Sequence, residues 1–388
     1  MGRQVLFASV PAWGHVYPVL AGLAELVRRG HRVRCLASGS FAAEIGKVAE
    51  TVPYESPMDS AQADLADLGK VLPLLLEETR ASYAALDSAV RAHRPDVLVA
   101  DVLATSGWLL GRARGIPVVR TWPVFASNSE FSLHQDYRSR TDTSESMSAF
   151  FGAVAEFLRE IGLASEVSPE EFFDNEAERN LVLFPREIQP RGETFGSRFT
   201  FITPCFRPAE QSPELAWLRE ARPLAVVSLG TVFTDNIGFF RTCVEGADRL
   251  GWHTAAALGS KVSPAAVGPV SDRVLLRARL PMIDALRHAS AAITHGGLTS
   301  TLEALAQGVP VLIAPQIGEQ RGVADRVEAL GLGVRLAEPF TADQLADVLK
   351  RVADDADLAR RLARFAHRLR GGRGPEEFAD AVEAAFPA

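Results

Sequence analysis

The chain is poor in several features that would assign it quickly. Its 388 residues include three cysteines, Cys35, Cys205 and Cys243, odd in number and far apart. That count excludes a disulfide framework and a zinc knuckle and points to a reducing compartment. No run of about 18 apolar residues is present to span a bilayer. The first apolar run, Val5 to Val10, ends at Pro11 without a signal-peptide cleavage site, so the sequence reads as a cytoplasmic protein with no membrane partner. Positive charge is also short. With 41 Lys and Arg against 48 Asp and Glu, the formal charge is −7, opposite in sign to the footprint that a nucleic-acid backbone requires, so nucleic acid is not expected as a partner. No Gly-x-Gly-x-x-Gly follows the first strand, and no Walker A loop, Gly-x-Ser-x-Gly elbow or His-Glu-x-x-His occurs, which removes the common dinucleotide, P-loop, hydrolase and zincin chemistries. The one Asp-x-Asp, Asp355-Ala356-Asp357, lies between two expected helices, where turn and capping duty accounts for it. No metal and no other cofactor is therefore expected.

What is present suits a buried core: 47% of residues are hydrophobic and the mean hydropathy is +0.06. The length suggests two domains. Short apolar runs alternate with longer amphipathic segments: Val5 to Val10 then Val16 to Arg29, Arg32 to Ala37 then Phe41 to Ala49, Asp96 to Ala100 then Thr105 to Arg114. This is the rhythm of a parallel sheet covered by helices on both faces. Residues 65–93 read as a long helix containing Pro73, and residues 121–178, which break the rhythm, as short helices and loops. The proline-rich run from Pro204 to Pro213 reads as a linker between domains of residues 1–205 and 214–365. The second domain restarts the rhythm at Leu224 to Leu229 and predicts another doubly wound sheet. An internal echo supports the pairing. Val97 to Asp101 followed by Gly115-Ile116-Pro117 matches Ala292 to His295 followed by Gly308-Val309-Pro310. Two such domains facing each other would enclose a cleft lined by the loops at the carboxyl ends of both sheets.

Two constellations carry chemistry. The first, Thr294-His295-Gly296-Gly297-Leu298-Thr299-Ser300-Thr301-Leu302-Glu303, runs from a strand into a helix. Its glycines permit close backbone approach, and the helix start offers N–H groups and a positive dipole end, so a diphosphate is the natural guest. His295, Thr299 and Ser300 can donate to phosphate oxygens, and Glu303 can accept from a ribose diol. The plainer alternative is a capping box of Ser300 with Glu303. The second, Pro11-Ala12-Trp13-Gly14-His15, follows the first strand. An imidazole there can serve as a general base at neutral pH, and Asp101, ending another strand, can orient it. The plainer alternatives are helix-capping roles for His15 and Asp101. Trp13 and the Phe-rich 121–178 segment, with Phe125 and Phe131, are the expected walls of an acceptor pocket.

Taken together the motifs resemble inverting glycosyltransferases of the GT-B fold, in particular the macrolide and natural-product enzymes related to plant secondary-metabolite glucosyltransferases. Where the plant signature has His-Cys-Gly-Trp-Asn-Ser-Thr-Leu-Glu, this chain has His295 to Glu303, and Ser228-Leu229-Gly230-Thr231 and Gly14-His15 match further. The resemblance implies an α/β protein of two facing Rossmann-like domains, with residues 366–388 crossing back to the first. It also implies a UDP- or dTDP-linked sugar donor, a lipophilic hydroxylated acceptor such as a macrolide or polyketide, and a second copy of the chain as a candidate partner. His15 is then the acceptor-activating base and Asp101 its partner. Ser228, Gly230, Thr231, Arg279, His295, Gly296, Gly297, Thr299, Ser300 and Glu303 are donor contacts, with Glu319 and Gln320 on the sugar. Two departures stand out: Arg279-Leu280-Pro281-Met282 replaces the relatives' Trp-x-Pro-Gln at the base pocket, and Glu319-Gln320 replaces Asp-Gln. Two rival readings share the architecture: a non-hydrolysing nucleotide-sugar epimerase, and a catalytically silent auxiliary subunit.

Overall fold

A computed structural model describes residues 2–39, 41–60, 68–137, 144–173, 176–206, 213–231 and 234–387. The chain divides into two compact units, Met1–Phe206 with Arg373–Ala388, and Arg207–Gly372. The middle of the expected linker, 207–212, lies outside the described residues, as do residues 65–67 of the expected long helix.

Unit 1 begins β1 (Gln4–Ala8), α1 (Trp13–Arg28), β2 (Arg32–Ala37), α2 (Phe41–Ile45), β3 (Glu50–Pro53), α3 (Pro57–Ser60) and α4 (Leu68–Ala92). It continues with β4 (Val97–Asp101), α5 (Thr105–Arg114), β5 (Val118–Trp122), α6 (Leu133–Asp136), α7 (Ser144–Glu160), β6 (Arg179–Val182) and β7 (Phe199–Phe201). The strands form one parallel sheet in the order β3-β2-β1-β4-β5-β6-β7. Its middle strands are apolar almost throughout because both faces are covered. Val5, Phe7, Val97 and Val99 pack on the side of α1, whereas Leu6, Ala8 and Leu98 pack with Leu86 and Leu110 on the side of α4 and α5.

Unit 2 comprises α8 (Leu215–Glu220), β8 (Leu224–Ser228), α9 (Ile237–Asp248), β9 (His253–Ala257), α10 (Pro264–Val267), β10 (Val274–Arg277), α11 (Met282–His288) and β11 (Ala291–Thr294). It closes with α12 (Leu298–Ala306), β12 (Val311–Ile313), α13 (Gly318–Ala329), β13 (Gly333–Arg335), α14 (Ala342–Asp354) and α15 (Ala356–Gly371). Its sheet is also parallel, in the order β10-β9-β8-β11-β12-β13. The strand order therefore reverses between β1 and β4 in unit 1 and between β8 and β11 in unit 2. Connections leave for opposite faces at such a point, opening a crevice at the strands' carboxyl ends. The echo seen in the sequence is β4-α5-β5 against β11-α12-β12, the same place in each sheet, and Gly115 and Gly308 end the two helices with φ of +59° and +75°.

Two expectations change and one holds. Residues 121–178 contain the 17-residue α7, whose Phe150, Val154, Phe157 and Leu158 recur at helical spacing and are buried with Leu72, Leu76 and Trp108. Their apolar stripe is interrupted by enough Ser and Glu to hide the period. The returning segment starts at Arg373 and not at 366, because α15 keeps its amphipathic pattern to Gly371 and buries Phe365, Ala366 and Leu369. Asp355 caps α15, accepting from the Leu358 N–H at 2.8 Å, which is the turn duty expected of it.

The last helix, α16 (Gly374–Glu383), completes the core of unit 1. Phe378, Ala379 and Val382 are wholly buried against the α1 side of the sheet. Around them Arg29 on α1 donates to Asp380 and Glu383 at 2.6 and 2.9 Å, and Glu377 accepts from the Thr203 N–H at 2.7 Å. Arg29 also bonds Glu25, whose carboxyl is held down to about 2 by Arg28 and Arg29. The three cysteines are free and buried, and burial raises each thiol, Cys205 to about 12, so none is a thiolate near neutrality. Among the described residues no helix is long and apolar enough to cross a membrane.

Candidate active site

In unit 1 the reversal point holds His15 and Asp101. β1 ends in Ala8, and the chain turns through Pro11 so that α1 starts at Trp13. His15 therefore lies in the first turn of α1, above the end of β4, where Asp101 is the last residue. Its Nδ1 lies 2.9 and 3.0 Å from the two carboxylate oxygens of Asp101. An ionised carboxylate only accepts, so the proton sits on Nδ1 and the imidazole lone pair on Nε2. The Asp101 side chain is fully buried and that of His15 is 12% exposed, so the carboxylate is sealed while the ring keeps an edge at the surface. Asp101 also accepts from the Leu103 N–H at 2.9 Å, fixing the carboxylate plane. Neither residue caps a helix: the N-caps of α1 and α5 are Ala12 and Ala104.

The aromatics expected at an acceptor wall differ in exposure. Phe125 and Phe131 are 1% and 4% exposed, packed edge-to-face with ring centroids 6.2 Å apart, and Phe125 also meets Phe184. The segment after β5 folds both rings inward. Trp13 is half-buried and stacks on Tyr17 and Phe41 at 4.7 and 4.3 Å.

In unit 2 the reversal point gathers three loops. Ser228, Gly230 and Thr231 follow β8, His295 to Gly297 follow β11, and Gln316 to Gln320 follow β12. They are close-packed. A Cβ at Gly230 would stand 2.6 Å from Cε1 of His295, and one at Gly297 would stand 2.7 Å from its Nε2. The ring is thus held between two glycines, and Gly230 also has φ +75°, which side chains resist. A Cβ at Gly296 would meet Ile313 at 2.6 Å and the Gln320 carbonyl oxygen at 3.2 Å, so the third loop abuts the second.

Burial lowers His295 to about 4, only partly offset by a hydrogen bond to the Ser228 backbone, and Thr294 Oγ1 lies 3.3 Å from Nδ1. The imidazole is neutral near pH 7, so it offers an anion no full charge. The positive field at this point comes instead from the start of α12. Gly297, its N-cap, supplies no side-chain cap, so the first-turn N–H groups face outward with Thr299 and Ser300 half-exposed beside them. Ser300 is the third helical residue, which excludes the capping box with Glu303. Glu303, 1% exposed, lies one turn further along α12.

Gln320 divides its amide between two duties. Its Oε1 accepts from the N–H groups of Gln316 and Ile317 at 2.7 and 3.3 Å, closing the first turn of α13, so only its amide NH2 is left for a sugar. Glu319 is the acidic residue of that first turn. Arg279 is exposed in the segment between β10 and α11. Among the described residues no group of three or more His, Cys, Asp or Glu could hold a metal.

Residues 256–385 match the family described as erythromycin biosynthesis protein CIII-like, C-terminal domain. Over its length the chain is similar to demethyllactenocin mycarosyltransferase of Streptomyces fradiae, 33% identical across 98% of this chain and 86% of that protein. It belongs to the natural-product glycosyltransferases of the GT-B fold. Oleandomycin glycosyltransferase of Streptomyces antibioticus is 31% identical across 99% of this chain and 91% of that protein. Among solved structures, the calicheamicin glycosyltransferase superposes with a TM-score of 0.83 at 32% identity, covering 99% of this chain and 98% of that one. The glycotransferase of kitacinnamycin gives 0.87 at 30% identity, covering 100% of both. This glycosyltransferase thus carries its two candidate subsites at matching reversal points. The sequence reading had no place for two of the groups involved. The Leu103 N–H on Asp101 is a backbone contact and leaves no mark in side-chain types. The buried Arg120 does leave one, a lone cation in the apolar run Val118-Val119-Arg120-Thr121-Trp122.

Proposed function

We propose that this glycosyltransferase moves a sugar from a UDP- or dTDP-linked donor, with inversion, to a hydroxyl of a lipophilic natural product such as a macrolide or polyketide, in the cytoplasm and without a metal. The observation that carries the reading is the His15 Nδ1–Asp101 pair, because it leaves Nε2 as a base for an acceptor hydroxyl. The acceptor oxygen attacks the anomeric carbon as its proton passes to Nε2. The bond to the diphosphate breaks, and the leaving charge is taken by the N–H groups at the start of α12. That helix terminus, rather than a cation, supplies the electrostatic balance. Ser228, Thr231, Thr299 and Ser300 contribute hydroxyls around the diphosphate, Glu303 meets the ribose, Arg279 stacks on the base, and Glu319 with the Gln320 amide selects the sugar. The named relatives that act on demethyllactenocin and oleandomycin support a macrolide-like acceptor.

The test is incubation with UDP- and dTDP-sugars and a panel of polyketide acceptors, with mass spectrometry and the anomeric configuration read by NMR. Transfer with inversion that persists in excess EDTA is the expected result. Retention of configuration, or activity lost to EDTA and restored by magnesium, would overturn the mechanism. Epimerised donor formed without acceptor would favour the epimerase.

A further inference from the structure

Arg120 lies on β5, in register with Ala100 and one residue below the pairing of Asp101 with Thr121. Its side chain is completely buried. The guanidinium donates through Nη2 to the carbonyl of Val102, the residue after Asp101, at 2.5 Å, while among the described residues Nε and Nη1 have no hydrogen-bond partner. A buried guanidinium with two unmet donors is costly, and a hydrogen bond to one carbonyl does not offset it. The link to Asp101 is the Val102–Leu103 peptide: Arg120 holds its carbonyl, and Asp101 accepts from its N–H at 2.9 Å, so the cation and the carboxylate brace the two ends of one peptide group.

Several charged groups on the neighbouring elements are engaged with other partners. Glu78 of α4 is held by Tyr54 and Ser56, and Asp136 of α6 accepts from the Ser132 N–H. Arg34 of β2 donates to the carbonyls of Ala89 and His93, and Arg114 of α5 pairs with Asp87. Glu25 of α1 pairs with Arg28 and Arg29, and Asp59 of α3 lies beside Gly39 after β2.

We propose that Arg120 is a positioning residue for the His15–Asp101 pair, its buried cation balancing the Asp101 carboxylate and opposing a proton on His15. The charge count gives the direction. With Arg120 present, its charge and that of Asp101 cancel, and a proton on His15 makes the group net positive. Without Arg120 the same proton converts a lone buried anion into an ion pair, so protonation is favoured and the base is blocked. Arg120 acts through Asp101 and His15 and touches no substrate. The inference rests on His15 being the base, yet its central claim is about proton affinity and is measurable without turnover.

The test compares Arg120→Gln, which keeps an N–H for the Val102 carbonyl but no charge, with Arg120→Met, which keeps neither. The His15 ring is titrated by NMR on protein with carbon-13-labelled histidine, its signal assigned by loss in His15→Gln. Both variants are expected to raise the His15 titration midpoint by about one pH unit and to move the acid limb of kcat/KM up with it, with activity regained at high pH. Circular dichroism and nucleoside-diphosphate affinity, a property of unit 2, check that each variant is folded. An unmoved midpoint in either folded variant overturns the proposal and leaves Arg120 a structural residue, even if activity falls. Near-native transfer by His15→Ala would instead defeat the base reading, while the Arg120 titrations still decide the electrostatic coupling.

Discussion

The two reversal points use the same topology and the same residue type to opposite ends. In unit 1 a histidine is coupled to a buried carboxylate that sets its tautomer, so the ring is prepared to take a proton. In unit 2 a histidine is wedged between glycines, and burial holds it near pH 4, so it fills space as a neutral ring while backbone N–H groups carry the field. A strand-end histidine is therefore no signature of acid–base chemistry by itself. What surrounds the ring decides whether it titrates in the working range.

Removing His15 should break the comparison most sharply. His15→Ala is expected to lower transfer to a hydroxyl acceptor by about 100-fold or more while leaving nucleoside-diphosphate affinity within about twofold. Steady-state kinetics with calorimetric titration of the diphosphate check it, and a parallel loss of affinity would mean that the two units do not divide the labour. Gly230→Ala should do the reverse. The added methyl meets His295 at 2.6 Å in a backbone conformation with φ +75°, so diphosphate affinity should fall about tenfold. Transfer at saturating donor should hold close to the parent.

Gln320→Glu sharpens the account of the third loop, because a carboxylate keeps the acceptor that closes the α13 turn and removes the amide donor. If the amide binds sugar, transfer should drop about fivefold, the worth of one hydrogen bond of about 1 kcal/mol, with the melting temperature unchanged. If the residue only closes the turn, neither quantity should move. The smallest effect concerns pH. Between 6.5 and about 4 the unfolded chain protonates His295 while the folded chain does not, so stability present above pH 6.5 declines as the pH falls to 4 and this contribution declines no further below it. Melting curves of the parent and His295→Gln across that range should diverge in this window alone, by a few degrees in a domain of this size.

Most of the architecture was legible because parallel strands covered on both faces are short apolar runs, and the glycines that stop helices punctuate them. The reversal points were legible too, since the echo of Asp101 and His295 places both at strand ends. The Phe-rich segment was not, because an aromatic's bulk says nothing about which way the chain folds over it: Phe125 turned out to be core. Gln320 misled for a related reason. A side chain with both a donor and an acceptor can spend one on its own helix, and only geometry shows which. Arg120 leaves a visible trace, a lone cation in an apolar strand, but its relation to Asp101 depends on strand pairing, which a sequence does not state.

The place of α16 has a practical consequence for recombining such enzymes. Since Phe378, Ala379 and Val382 complete the core of the unit that opens the chain, a chimera that exchanges everything after Phe206 would fit one parent's terminal helix to the other parent's α1 and β-sheet. Grafts that respect the fold take Arg207–Gly372 as an insert and leave Arg373–Ala388 with its native host. Two junctions, not one, mark the transplantable unit.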